Sequence, residues 1–206
     1  GLVGQDGATH HGIFDIAYLR CIPNLVIFAP MNEIELRNIM YTAQMGLSHP
    51  IVIRYPRGRG VLAEWKTPFK KVAIGTAQEL KSGTRVAILS IGHIGNAISE
   101  MLEEMLYPEV IGHYNMRFVK PLDEKILNEI FNRYEHIVTI EDGCKAGGFG
   151  SAVLEFANRI GAIKPIKLFG IEDCFIEHGT TEELHEIAEI AKLNVKEYIT
   201  PLLNVT

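Results

Sequence analysis

The chain has 206 residues, of which 47% are hydrophobic and 22% are charged. These values are ordinary for a globular protein large enough to bury a core without disulfides. The net charge of −5 argues against nucleic acid and against a membrane surface as partners, since both require clustered Lys and Arg. No apolar run approaches the roughly 20 residues that cross a bilayer, and no signal-peptide pattern is present.

The three cysteines are widely spaced and form no CxxC pair. This pattern supports neither a disulfide framework nor a thiolate zinc site, so we expect a cytoplasmic protein. The chain opens on Gly-Leu-Val-Gly without an initiator methionine, which predicts a piece of a longer protein.

β-branched runs alternate with amphipathic stretches along the chain, as is typical of an α/β protein with a mainly parallel sheet. In the first part, the pattern predicts strands over residues 24–29 and 50–55. A helix between them is expected to begin at Asn32, with Glu35 in the capping-box position.

The second part contains four predicted strands and five predicted helices. The strands are expected over residues 85–90, 109–114, 136–140 and 165–169, and the helices over 95–106, 123–133, 151–160, 180–190 and 194–203. The composition of residues 58–71 is typical of a connector between two domains. Trp65 is expected to pack against one of these domains. The predicted organisation is a first domain over 1–62, a linker over 63–71 and a second domain over 72–206.

Two glycine-rich turns, residues 92–95 and 143–150, each follow a predicted strand. Neither is a GxGxxG turn or a P-loop, so close packing of helix on sheet is the preferred interpretation. His185 begins a zincin-like stretch, but Glu189 stands where the second histidine should be. His93, His113 and the other scattered histidines are interpreted as surface or loop residues, and no metal site is predicted.

The opening stretch, Gly4-Gln-Asp-Gly-Ala-Thr-His-His-Gly12, combines glycines with an acid and two imidazoles. Glycines permit unusual backbone angles and the close approach of a ligand. Asp6 and His10 could converge on one small volume, where a histidine can donate and accept a proton. The alternative is that Asp6 forms a turn and Thr9 caps a helix from about Gly12. Local sequence leaves both open.

A second candidate, Arg54-Tyr-Pro-Arg-Gly58, lies at the end of a predicted strand, where open parallel sheets generally bind ligands. The planar guanidinium fork suits phosphate recognition. A pair of surface salt bridges is an equally good interpretation from the residues alone.

Several motifs, taken together and in order, resemble the 1-deoxy-D-xylulose-5-phosphate synthase family, which is transketolase-like. They are the opening stretch, Phe14-Asp-x-x-Tyr-Leu-Arg-Cys-Ile-Pro23, Arg54–Gly58, Met116-Arg-Phe-Val-Lys-Pro-Leu-Asp123, Gly147-Gly-Phe-Gly-Ser151 and Asp173-Cys-Phe-Ile-Glu-His-Gly179. The resemblance implies a homodimeric transferase that condenses pyruvate with D-glyceraldehyde 3-phosphate, releasing carbon dioxide. It also implies thiamine diphosphate and magnesium as cofactors, and a product that feeds isoprenoid, thiamine and pyridoxal biosynthesis.

The same resemblance implies part of a pyrimidine-binding domain followed by a transketolase C-terminal-type domain. It assigns Asp6 and His10 as catalytic residues, Arg57 as the phosphate-binding residue, Arg54 as a support of the strand end and His11 as a neighbour. The family's cofactor-activating glutamate and its diphosphate–magnesium motif are absent here. We therefore expect no cofactor or metal on this chain alone, which needs its missing N-terminal domains. A non-catalytic dimerisation module and a 2-oxoacid dehydrogenase β-like subunit are the alternatives.

Overall fold

The computed structural model describes residues 1–203. The α-helices are Asp15–Arg20 (α1), Glu33–Gln44 (α2), Ile94–Glu103 (α3), Glu124–Arg133 (α4), Phe149–Arg159 (α5), Thr181–Ile187 (α6) and Lys192–Ile199 (α7). The strands are Val26–Phe28 (β1), Ile51–Ile53 (β2), Gln78–Lys81 (β3), Val86–Ile91 (β4), Ile111–Asn115 (β5), Phe118–Lys120 (β6), His136–Cys144 (β7) and Ile166–Ile171 (β8). Short 3-10 helices cover Pro108–Val110 and Thr200–Leu202. The predicted α/β class is confirmed.

The larger sheet has five strands in the order β3-β5-β4-β7-β8. The three pairings among β5, β4, β7 and β8 are parallel, and β3 joins antiparallel at one edge. Every residue of β4 is buried, as expected for a central strand covered by helices on both faces. The predicted mainly parallel sheet is therefore present.

A smaller sheet joins the two parts of the chain. Its order is β2-β1-β6, with β1 parallel to β2 and antiparallel to β6. Phe28 of β1 and Phe118 of β6 contact each other edge to face, with ring centroids 4.8 Å apart. A strand from the second part of the sequence thus completes the sheet of the first part.

Two strands were not predicted from the sequence, and helix α1 was predicted only as an alternative that began at about Gly12. Strand β3 is a mostly exposed edge strand, so its residues lack the apolar alternation that marks a half-buried strand. Strand β6 has three residues, and helix α1 has six. The predicted last helix, 194–203, is in fact α7 followed by the 3-10 turn at Thr200–Leu202.

Two of the predicted helix starts are present. The Asn32 side chain accepts a hydrogen bond from the backbone N–H of Glu35 at 3.1 Å, at the start of α2. Thr180 and Glu183 form the complete reciprocal capping box at the start of α6. A helix from about Gly12 capped by Thr9 is wrong, because α1 begins at Asp15 and has no side-chain cap.

The glycine-rich turn before α5 permits close packing and leaves no room for an external anion. A Cβ added at Gly150 would lie 2.7 Å from Thr139 and Leu168 of the neighbouring strands, so a larger residue would push the helix away. The buried carboxylate of Glu141 accepts hydrogen bonds from the N–H groups of Phe149 and Gly150, both at 2.8 Å. The protein's own side chain therefore occupies the position that a phosphate would take.

The connector lies along α2. Arg37 donates hydrogen bonds to the carbonyl oxygens of Trp65 and Thr67, and its guanidinium lies 4.4 Å from the ring centroid of Phe69. Trp65 therefore packs on the first part of the chain, through Arg37. Within residues 1–203, no helix is long and apolar enough to span a membrane.

Candidate functional site

The opening glycine stretch forms a compact turn. Gly4 and Gly7 have φ values of 82° and 71°, in the left-handed region that favours glycine. The N–H of Gly7 donates to the carbonyl of Gly4 at 3.2 Å, and the N–H of His10 donates to that of Gly7 at 3.0 Å. The chain reverses here, which places Asp6 and His10 on one exposed loop.

Asp6 and Arg57 meet in space. The Asp6 carboxylate and the Arg57 guanidinium form an ion pair, with 36% and 60% of their side chains exposed. The loop and the segment after β2 therefore contribute an acid and a cation to the same place on the surface. His10 is also exposed, and its Nδ1 lies 3.0 Å from the hydroxyl oxygen of Thr9.

His11, next to it, is buried and anchors the loop. Its Nδ1 accepts a hydrogen bond from the N–H of Val3 at 3.1 Å. Its Nε2 lies 3.2 Å from the carbonyl oxygen of Glu177, to which it must donate. These partners select the tautomer with the proton on Nε2. His11 thus ties the opening loop to the segment before α6.

Arg54 supports the end of β2. Its Nε pairs with Asp15 at 2.7 Å, and its Nη2 donates to the carbonyl oxygens of Gly12 at 2.9 Å and Asp142 at 2.6 Å. The side chain is only 8% exposed. One guanidinium therefore holds the opening loop, α1 and β7 together, which leaves Arg57 as the exposed arginine of the pair.

A second polar cluster lies at the carboxyl end of the five-stranded sheet. The Nε2 atoms of His93 and His185 lie 3.4 Å and 3.6 Å from Oδ2 of Asp142. The two imidazole rings are stacked, with centroids 6.2 Å apart. Sequence reasoning missed this cluster because its members are far apart along the chain, and a strand-end position for His93 and Asp142 was the only available signal.

Burial shapes the charges of this cluster. It lowers the pKa of His93 to about 4, against the opposing effect of Asp142. Burial alone would raise the pKa of Asp142, whereas His185 and His93 lower it, and that pKa lies below its usual value. The cluster therefore combines an ionised carboxylate with a neutral His93 imidazole at neutral pH.

A cavity of about 250 Å³ lies between the end of β2, the start of α2 and the start of α3. Tyr55, Arg59, Met31 and His93 are among the residues that line it. Asp6, His10 and Arg57 do not line this cavity. The exposed ion pair and the largely apolar cavity are therefore separate features.

The one candidate metal-ligand group among the described residues suits magnesium poorly. Across residues 1–203, His93, Asp142 and His185 are the one group of three or more potential metal-ligating side chains that lie close together. Magnesium prefers an all-oxygen octahedral shell, whereas this group offers two imidazole nitrogens.

Comparison with known families divides the chain into two matches. Residues 1–60 match the family described as transketolase, pyrimidine binding domain. Residues 75–195 match the family described as transketolase, C-terminal domain.

Three of the curated relatives illustrate the match, and all three carry one name. The 1-deoxy-D-xylulose-5-phosphate synthase of Cytophaga hutchinsonii is 54% identical over 90% of this chain. Those of Bacteroides fragilis and Aquifex aeolicus are 46% and 47% identical over 97% and 92% of it. The chain spans only about 30% of the length of these relatives.

Solved structures agree with the fold. A structure described as a split gene transketolase, inactive beta4 tetramer, matches 95% of this chain and 63% of its own, with a TM-score of 0.81 and 26% identity. The transketolase of Campylobacter jejuni matches 97% of this chain and 29% of its own, with a TM-score of 0.68 and 20% identity, which supports the fold alone. The chain therefore belongs to the transketolase family, with its pyrimidine-binding and C-terminal domain sequences in that order.

Proposed function

We propose that this chain is part of a 1-deoxy-D-xylulose-5-phosphate synthase, a transferase that condenses pyruvate with D-glyceraldehyde 3-phosphate and releases carbon dioxide. The 46–54% identity to curated synthases supports this assignment. The observation that carries it at the level of residues is the pairing of Asp6 with Arg57 beside the loop that bears His10.

In this proposal, Arg57 binds the phosphate of the aldehyde substrate. Its side chain is 60% exposed, and the guanidinium fork can donate two parallel hydrogen bonds to phosphate oxygens. Asp6, its present partner, accepts a hydrogen bond from a substrate hydroxyl. His10 gives and takes a proton at the reacting oxygen, as an imidazole side chain can do.

Thiamine diphosphate and magnesium belong to the full-length enzyme in this proposal. Thiamine diphosphate supplies the carbanion chemistry when bound. Since the only candidate ligand cluster in the described residues suits magnesium poorly, other parts of the protein hold both groups. This chain alone then binds neither and does not turn over.

The remaining features of the proposal follow from the same assignment. The full-length enzyme acts as a cytoplasmic homodimer. Its product enters isoprenoid, thiamine and pyridoxal biosynthesis. The chain divides into a first domain over residues 1–62, a linker over 63–71 and a second domain over 72–206 in this proposal.

The test is Arg57→Gln in the full-length protein. Charge-assisted hydrogen bonds contribute about 1.5–3 kcal/mol each, so we expect KM for the aldehyde phosphate to rise about 10- to 100-fold. KM for pyruvate should stay within about twofold. Steady-state kinetics with each substrate varied in turn measures both.

Arg59→Gln is the matched control, because Arg59 is also exposed on the same segment and lies outside the ion pair. It should leave both KM values unchanged. Equal effects of the two variants, or an unchanged aldehyde KM for Arg57→Gln, would show that Arg57 does not bind the phosphate.

A further inference from the structure

The cluster of His93, Asp142 and His185 lies at the point of the larger sheet where the strand order reverses. Strands β4 and β7 are parallel neighbours, with Ile91 paired to Glu141 at their carboxyl ends. From β4 the chain crosses through α3 to β5 on one side, whereas from β7 it crosses through α5 to β8 on the other. Open α/β sheets bind ligands in the crevice that forms at such a point.

Each side of this crevice contributes ligand atoms. His93 follows β4 at the N-cap of α3, and Asp142 lies in the last part of β7. His185 comes from α6, and its Nε2 lies 3.6 Å from Oδ2 of Asp142. Three separate elements therefore place side chains with metal-ligating atoms at one position.

The distances fit a bound metal ion better than they fit hydrogen bonds. Two ligand atoms that each lie about 2.0–2.2 Å from a tetrahedral zinc ion are about 3.3–3.6 Å apart. The two His–Asp separations are 3.4 Å and 3.6 Å, and all three ligand atoms lie within 4.8 Å of one another. An N–H···O hydrogen bond would be 2.7–3.2 Å long.

Two further observations support a bound cation. The Nε2 of His185 is buried and has no hydrogen-bond partner among the described residues, although buried polar atoms are normally paired. The carboxylate of Asp142 is 1% exposed, and the N–H of Leu2 lies within hydrogen-bonding distance of both its oxygens, at 3.0 Å and 3.2 Å. Such an outer contact orients a carboxylate ligand.

We infer that His93, Asp142 and His185 bind a divalent first-row transition metal ion, with Zn²⁺ as the preferred ion. Two imidazoles and one carboxylate suit zinc and disfavour magnesium. Three protein ligands leave a fourth position for water. The ion links α6 to the ends of β4 and β7, so its binding should stabilise this part of the fold.

The experiment is equilibrium binding of Zn²⁺ and Co²⁺ to the full-length protein after chelator treatment, with excess Mg²⁺ present. Wild type should bind one more equivalent of Zn²⁺ than the His93→Gln/His185→Gln double variant. Co²⁺ bound at this site should give a visible absorption band that the double variant lacks. Zn²⁺ should also raise the thermal unfolding midpoint of wild type and not that of the double variant.

The matched control is His49→Gln/His178→Gln, which removes two exposed histidines outside the cluster and should bind as much Zn²⁺ as wild type. If the His93→Gln/His185→Gln variant does not fold, the single variant His185→Gln replaces it, because the Nε2 of His185 has no hydrogen bond to lose. That variant should weaken Zn²⁺ binding at least about 100-fold. Equal binding by wild type and cluster variants, or displacement of the ion by Mg²⁺, would overturn the inference.

Discussion

Two polar clusters of this chain differ in almost every physical respect. Asp6, His10 and Arg57 are exposed, and two of them lie on one short loop. Asp142 is buried and faces His93 and His185, which come from two other elements. Water screens the charges of the first cluster. The charges of the second cluster must be compensated by other groups of the protein.

The difference shows how position decides the cost of a charge. An exposed ion pair contributes about 0–1 kcal/mol to stability, so evolution can change it for function with little effect on folding. A buried carboxylate needs partners, and removing the charge or a partner has a large effect. We therefore expect the exposed cluster to respond to substitution in activity, and the buried cluster to respond in stability.

The largest expected effect comes from exchanging the two acids for their amides. Asp142→Asn should lower the free energy of unfolding by about 3 kcal/mol, because a buried, partnered charge is lost next to the N–H of Leu2. Asp6→Asn, on the exposed loop, should change it by less than about 0.5 kcal/mol. Urea denaturation of the full-length protein with a chelator present measures both, and equal effects would break the comparison.

The next effect tests a histidine inside the larger sheet. His113 of β5 is 1% exposed, and its Nε2 and Nδ1 lie 2.9 Å and 3.3 Å from the hydroxyl oxygens of Ser90 and Ser99. Burial lowers the pKa of His113 to about 4. In the unfolded chain His113 therefore binds a proton below about pH 6.5, whereas in the folded chain it is protonated only below about pH 4. This contribution to stability is complete above pH 6.5 and is lost as the pH falls towards 4.

His113→Gln removes this titration and keeps groups that can hydrogen-bond to both serines. Between pH 7 and pH 4, wild type should lose about 2–3 kcal/mol more stability than the variant. Urea denaturation across that range measures the difference, and parallel pH profiles for the two proteins would contradict it. The sequence interpretation of His113 as a surface or loop residue is wrong, because it lies in a fully buried strand.

The smallest expected effect compares two threonines that both had the sequence pattern of helix caps. Thr180 accepts a hydrogen bond from the N–H of Glu183 at 3.2 Å, whereas Thr9 caps no helix. Thr180→Ala should lower the free energy of unfolding by about 1 kcal/mol, and Thr9→Ala by less than about 0.5 kcal/mol. Thermal unfolding of both variants distinguishes them, and a larger loss for Thr9→Ala would reverse the assignment.

Much of the larger sheet could be predicted because its strands are continuous apolar runs separated by amphipathic helices. The strands over residues 86–91 and 166–171 could be predicted from local sequence alone. Strands β3 and β6 could not be predicted, because they are defined by their pairing partners more than by their own residues. Pairing between distant segments leaves little local signal.

The same limit applies to the sites. The sequence predicts Asp6 and His10 as neighbours because one loop carries both, and the structure adds the contact with Arg57. His185 looked like half of a metal motif whose second ligand was missing along the helix. Its companions come instead from β7 and the turn after β4, which only the order of strands brings near.

The antiparallel pairing of β6 with β1 has a consequence for expression of the chain in pieces. The N–H of Ala29 donates to the carbonyl of Arg117 at 2.8 Å, so residues far along the chain satisfy the backbone at the border of the first sheet. A peptide that stops at residue 62 would lack this covering strand. The unpaired edge of β1 would then pair with strands of other molecules. We expect such a peptide to be found in insoluble aggregates.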